Sequence, residues 1–321
     1  MAVTLALAGD TMLGRGVAER LEADPVTPLL GPELEELARD ADLFVLNLEC
    51  CISDRRERAR VPGKPFYFRA PPVAAVRLAE MGVACVTLAN NHALDFGREA
   101  LLDTLAHLRA AGITVVGAGR DDAAARAPAT LQRGGRRVRV VSITDHPSAS
   151  AAGPREPGVA FADLFGRDLP EWLLEAAAPG PDADVVIVSP HWGPNMRAQP
   201  VEHVRRAAAA LERAGATLIA GHSAHVPQGI ADRTLFDLGD FIDDYAVDPQ
   251  LRNDLGLLWL VTLDAGGPGR VEGVPVRLEF GYTRAATDVE ALLLLALLEE
   301  RCAAVGSAVR REGDRFVFES D

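Results

Sequence analysis

The sequence predicts a layered α/β fold, and three observations carry that reading. Short apolar runs alternate with helix-like stretches along most of the chain. Across 321 residues, 48% are hydrophobic and 25% charged, enough apolar residues for a sizeable core and against disorder as the main state. Several apolar runs end in Asp, Glu, Asn or His, which is how open α/β sheets present ligand-binding groups beyond their strand ends.

Taken in order, residues 3–8, 43–48, 83–89, 114–118, 138–144, 185–190 and 217–220 read as buried strands. They are β-branched or leucine-rich and bounded by Gly, Asn or Asp. Residues 72–81 read as a helix that begins at proline and stops at Gly82. Residues 98–111 stop at Gly112, and 202–214 at Gly215. Later the style changes. Residues 257–263 and 271–280 read as consecutive strands joined by the turn AGGPG. An amphipathic helix is expected over 288–305. No internal repeat or low-complexity segment is visible. We expect one domain over 1–321. Residues 149–155 read as a loop, 145–167 as a candidate lid or insertion, and 257–321 as the C-terminal strands and helix.

Composition excludes several functions. Lys+Arg 33 against Asp+Glu 46 gives a net charge of −13, so a broad basic face for nucleic acid or anionic membrane is not expected. A spanning helix needs about 20 apolar residues, and the longest runs, 291–298 and 255–263, are far shorter. The opening MAVTLALAGD has no basic leader or cleavage site, which predicts a cytoplasmic protein. Cysteines 50, 51, 85 and 302 form neither a CxxC pair nor a disulfide framework and are expected as reduced thiols.

The strand ends hold the chemistry. The first ends in Gly9-Asp10, the second in Asn47-Leu48-Glu49 and the third in Asn90-Asn91-His92. Later ends are His191-Trp192-Gly193 and Gly221-His222-Ser223-Ala224-His225. A lone histidine after a strand is ordinarily a cap or core residue. Five strand ends agreeing predict a metal site, because imidazole and carboxylate bind zinc, manganese or iron. Two ions about 3.5–4 Å apart clamp the attacking and leaving oxygens of a hydrolysis and lower the pKa of a shared water. Gly9 and Gly221 are expected to let backbone approach closely. Asp95 is placed to orient His92, or to cap the next helix. Arg15 and Arg69 are candidates for a substrate anion, with surface ion pairs as the alternative, and Lys64 is a weaker one. His107 and His203 fall on predicted helices and read as solvated. The GAGR stretch at 117–120 lacks the spacing of a nucleotide loop.

The motifs GDTMLGR (9–15), NLE (47–49), KPFYFRAPP (64–72), LANNHALDFGREALLDTL (88–105), GAG (117–119), HWG (191–193), GHSAH (221–225) and DLGDF (237–241) resemble the CapA family of poly-γ-glutamate capsule synthesis proteins. That family lies within the calcineurin-like metallophosphoesterases. The resemblance covers nearly the whole chain. It implies a four-layer α/β/β/α sandwich with the metal site at one edge of the paired sheets. It implies metal ligation by Asp10, Glu49, Asn91, His191, His222 and His225, with Glu49 bridging. It implies a catalytic role for His92 as general acid or transition-state stabiliser. The chain also departs from the pattern. Thr11 and Met12 follow Asp10 where the superfamily has Asp-x-His, so one site lacks an imidazole and is expected to hold its ion weakly or not at all. Ser223 replaces the middle histidine of the last motif, and Asp240 stands where many members have asparagine. Capsule members carry an N-terminal anchor that is not evident here. The segment 144–161 resembles one found in soluble members and places His146 or Asp145 near the substrate.

The expected function is a metal-dependent hydrolase using one or two divalent ions (Mn, Zn or Fe). A metal-bound hydroxide would attack a phosphoester, or a γ-glutamyl or related amide, of a small or oligomeric anionic substrate, with His92 protonating the leaving group. Arg15, Arg69 and His146 would bind that substrate. Two alternatives stand beside it. One is a non-catalytic capsule-assembly or polymer-binding protein with a relic site, the other an amide-forming acyl transferase with a dry site.

Overall fold

A computed structural model describes residues 2–263 and 267–320, with side chains except for that of Ser320. The fold is mixed α/β, with two principal sheets. The larger has ten strands, and its main path runs Ser307–Glu312, Arg315–Ser320, Pro268–Glu279, Leu255–Leu263, Val3–Thr11, Leu43–Leu48, Cys85–Thr87, Thr114–Val116. Its first strand pairs in parallel with Leu43–Leu48 and antiparallel with Leu255–Leu263, so Leu7 lies between Val45 and Trp259. The smaller sheet has six strands: Ile230–Ala231, Thr234–Leu235, Leu218–Ala220, Val185–His191, Arg136–Thr144 and Ala129–Arg133.

Alternation along the strands builds the core. Val3, Leu5 and Leu7 point to one face and pack with Val138, Val140, Val185, Ile187 and Trp259 between the sheets. Ala6 and Ala8 point the other way and meet Val17, Leu21, Leu34 and Leu78 of helices Arg15–Ala23, Pro32–Asp40 and Val73–Glu80. On the smaller sheet, Val141, Ile143, Val186 and Val188 face Leu173, Val204 and Leu211 of helices Glu171–Ala177 and Glu202–Ala214. All four cysteines are buried free thiols. No helix among the described residues is long and apolar enough to cross a membrane.

The expected strands and long helices are present, with shifted ends. The first strand runs to Thr11, with an irregularity in pairing around Asp10, so Asp10 lies inside the strand. The run at 83–89 narrows to Cys85–Thr87, and the helix at 288–305 is Asp288–Ala303. The two later strands pair as Leu255–Leu263 and Pro268–Glu279, while residues 264–266, which include the start of the AGGPG turn, lie outside the described residues. Helices Arg15–Ala23, Pro32–Asp40 and Glu171–Ala177 and the hairpin 307–320 are additions to the expected elements. Segment 145–167 is tied to the smaller sheet and to the residue after the larger sheet's edge strand: Ala162 N–H donates to Thr144 O, and Ala160 N–H to Gly117 O.

Candidate metal centre

The centre forms where the ends of strands from both sheets meet. Val3–Thr11 brings Asp10, the turn after Leu43–Leu48 brings Glu49, and Val185–His191 brings His191. The turn after Leu218–Ala220 brings His222 and His225, and Asp240–Ile242 runs beside Asp10. Backbone contact is close here. A Cβ on Gly9 would lie 1.7 Å from Gly239 O, and one on Gly221 would lie 2.1 Å from Phe236 O. Both glycines therefore serve the close approach expected of them. Ser223 and His225 hold left-handed backbone (φ 105° and 61°), a strained turn of the kind that clusters at functional sites.

Asp10 is the hub. Its Oδ1 lies 3.4 Å from His222 Nδ1 and 3.9 Å from His191 Nδ1, and its Oδ2 lies 3.5 Å from His225 Nδ1. Asn47 Nδ2 donates to Oδ1 at 2.7 Å, and Ser223 N–H to Oδ2 at 3.2 Å. Among the described residues, two groups have ligand atoms close enough for a shared ion: Asp10–Glu49–His191 and Asp10–His225–Asp240. Asp10 belongs to both groups and Glu49 to one. The residue expected beside Asp10 as imidazole is Met12, fully buried, and its sulfur accepts from Gly14 N–H at 3.0 Å.

Donor chemistry tests whether a cation fits. Glu49 Oε1, Asn91 Oδ1, His191 Nε2, His222 Nδ1 and Asp240 Oδ2 are buried with no hydrogen-bond partner among the described residues. Buried polar atoms are rarely left so, and each one costs about 1–3 kcal/mol if it stays unmet. Four of the five belong to residues that sequence reasoning nominated as ligands. Their neighbours aim them. Tyr245 OH donates to Glu49 Oε2 at 3.0 Å, and His222 Nε2 meets Ser189 Oγ at 3.0 Å. His225 Nδ1 meets Asp240 Oδ1 at 2.7 Å. Asp237 accepts from Ala224 N–H at 2.7 Å and Gly239 N–H at 2.8 Å, bracing the turn that carries the histidines.

The electrostatics match. Burial, reinforced by neighbouring carboxylates, pushes Glu49, Asp237 and Asp240 well above the ordinary carboxylate range, and burial lifts Asp243 to about 6. Burial also opposes ionisation of Asp10, but the neighbouring imidazoles of His222, His191 and His225 hold it low. Burial drives His191 well below its usual value. Burial lowers His225 too, yet Glu49, Asp10, Asp237 and Asp243 carry it upward. Crowded buried carboxylates and orphaned imidazole nitrogens are what a divalent ion would satisfy at once.

The remaining nominated residues separate. His92 Nδ1 sits 2.6 Å from Asp95 Oδ2, and Asp95 also accepts Phe68 N–H at 2.6 Å and pairs with Lys64 Nζ at 2.8 Å. Asp95 thus orients His92 rather than capping the helix: Phe96 is the N-cap of Gly97–Ala110, with no side-chain cap bond. His146 is held by Asp145 and lies 5.4 Å from the His191 ring, beside the centre. Arg15 reaches the same region but is fixed to Asp244. Arg69 is not brought in: it donates to Ser53 O at 2.7 Å and pairs with Glu22 at 3.6 Å, the ion-pair alternative. His203, expected as solvated, is largely buried and bonds Asp145 Oδ2 at 3.1 Å. Sequence reasoning missed Asn47, Asp237, Asp243 and Tyr245 as parts of the site. The acidic run from Asp237 to Asp244 was the available signal.

Comparison with known proteins places the chain among relatives. The family model described as bacterial capsule synthesis protein PGA_cap matches residues 4–245. A "probable polyglutamine synthesis accessory protein" of Mycobacterium tuberculosis is 33% identical, over 86% of this chain and 85% of its own length. The PGA biosynthesis protein CapA of Bacillus subtilis is 27% identical, over 98% of this chain and 81% of that protein. The capsule biosynthesis protein CapA of Bacillus anthracis is 27% identical, over 89% and 70%. A solved structure of a hypothetical protein from Thermus thermophilus is 17% identical, with a TM-score of 0.48 over 86% of this chain and 98% of that one, a likeness too loose to argue from.

Proposed function

This chain belongs to the PGA_cap family of bacterial capsule synthesis proteins, and we propose that it is a metal-dependent hydrolase of an anionic phosphoester or of a γ-glutamyl or related amide. The observation that carries this is the set of orphaned buried donors on Glu49, His191, His222 and Asp240, converging around Asp10. We read the two sheets with helices packed on their outer faces as the α/β/β/α sandwich of metallophosphoesterases. The whole chain is taken as one such domain, with 145–167 as one wall of the site.

Asp10, Glu49 and His191 would hold one divalent ion, and Asp10, His225 and Asp240 a second, with His222 and Asn91 completing the shells. Bound ions supply Lewis acidity and lower the pKa of a bound water. The chain's own residues do the rest. Asn47 and Ser223 N–H fix the Asp10 carboxylate, and Tyr245 turns Glu49 so that Oε1 faces the centre. Asp95 accepts from His92 Nδ1–H, leaving Nε2 facing substrate; from the doubly protonated ring, which Asp95 favours and burial opposes, Nε2 would give its proton to the leaving group. His146, beside His191, contacts the anionic part of the substrate. The relatives' names attach them to polyglutamine synthesis, PGA biosynthesis and capsule biosynthesis, which supports an amide-bearing or otherwise anionic polymer fragment as substrate.

A binding protein with a relic centre is the second reading, favoured by Met12 where the superfamily has histidine. Asp240 counters it by offering a carboxylate to the same ion. The deciding experiment measures metal content, then turnover of p-nitrophenyl phosphate and γ-glutamyl-p-nitroanilide with Mn, Zn or Fe. The hydrolase reading expects bound metal and activity on at least one probe, both lost in His222→Ala. A parent protein that takes up no metal would sink it.

A further inference from the structure

Beside the centre lies a cavity of about 320 Å³, toward the small end of ligand sites. His92 and His225 line it, and His225 also belongs to one of the two candidate ion groups. Phe66, Phe68 and Tyr245 build one side of it, and Asn195, Met196, Ala246 and Asn253 line the rest. Phe66 and Phe68 stack nearly parallel at 6.4 Å, Tyr245 lies 5.7 Å from Phe68, and His92 stacks on Phe68 at 4.1 Å. Phe66 stands at the mouth, 55% exposed, where a large apolar side chain gains nothing from the fold. Arg15 is the only Arg or Lys among the residues lining the cavity. Its guanidinium sits over the rings of Phe66, Phe68 and Tyr245 at 5.9, 5.2 and 5.3 Å. Its charge is already met, because Nε donates to Asp244 Oδ1 at 2.9 Å and Nη2 to Asp244 O at 3.1 Å. On the side built by the rings, the charge of Arg15 is therefore already paired, and that face offers a run of free carboxylates no unmet counter-charge.

We infer that this cavity binds one flat, uncharged, aromatic or apolar group of the substrate, joined to the anionic centre that the ions engage. Arg15 then acts as a clamped plate over the rings rather than as the anion receptor expected from sequence. This rests on the metal-centre reading above and narrows its substrate class: the group next to the scissile bond is apolar, not another glutamate.

Protein loaded with manganese is titrated calorimetrically with phenylphosphonate and methylphosphonate, which share an anionic head and differ in the attached group. Roughly tenfold tighter binding of the phenyl compound is expected, with that preference shrinking to about twofold or less in Phe66→Ala. Phe66 is exposed at the mouth, so the variant is expected to fold. Equal affinity of the two compounds would overturn the cavity assignment while leaving the metal centre standing. A phenyl preference unchanged in Phe66→Ala would overturn it likewise, by placing the ring elsewhere. Failure of the chain to load manganese, or of both compounds to bind the loaded chain, would remove the underlying reading and this inference together.

Discussion

Asp10 touches three imidazoles and belongs to both candidate ion positions, whereas Glu49 and Asp240 belong to one each. The variants should therefore separate. Asp10→Asn is expected to abolish binding of both ions, while Glu49→Gln and Asp240→Asn each lose one, as elemental analysis per chain would read. Equal losses in all three would refute the division into two positions. Asp243 gives a pH signature in chelated protein. Its folded pKa is raised from 3.8 to about 6, so its contribution to stability is full below 3.8 and is lost as pH rises through about 6. Asp243→Asn removes that loss. Between about pH 4 and 6, the variant's stability relative to the parent should rise by on the order of 2 kcal/mol. A difference that stays flat with pH would contradict this assignment.

Strands legible in sequence bring together the candidate ligands legible in sequence, because a strand end fixes where its next residue goes. Val3–Thr11, Val185–His191 and the turn carrying His222 and His225 follow that rule. What stayed hidden depends on distant chain crossing. Asp240 reaches Asp10 only because Asp240–Ile242 pairs with the first strand, and Tyr245 reaches Glu49 across 196 residues of sequence. Arg15–Ala23 escaped notice for a local reason: it has no capping side chain and no acid in its first turn. Pro32–Asp40 did carry the signals, with proline at its start and Glu33 and Glu35 in the first turn. The first strand passes so close to Gly239 that Gly9→Ala should lower unfolding free energy by about 2 kcal/mol or more and take bound metal with it. Thr287→Ala serves as the contrast. It breaks the capping box on Asp288–Ala303, which bonds none of the candidate ligands, and should cost about 1 kcal/mol with metal content unchanged. Chemical denaturation and elemental analysis of the two proteins would check both outcomes.

For the whole molecule, the centre joins two sheets. Asp10 and Glu49 come from the larger, and His191 and His222 from the smaller. An ion held between them favours the native state alone, so metal at 100 times its dissociation constant should add about 2.7 kcal/mol of stability. A melting temperature that did not respond to chelation and re-addition would argue against ligands drawn from both sheets. The four buried thiols give this architecture an internal clock. Burial pushes Cys51 and Cys85 up to about 12, so neither reacts as a thiolate while the fold is closed. Cys50 and Cys51 sit next to Glu49, Cys85 opens the strand beside the larger sheet's Thr114–Val116 edge strand, and Cys302 lies in the last turn of the last long helix. Alkylation followed peptide by peptide would time the breathing of three districts of the protein separately, with no engineered label.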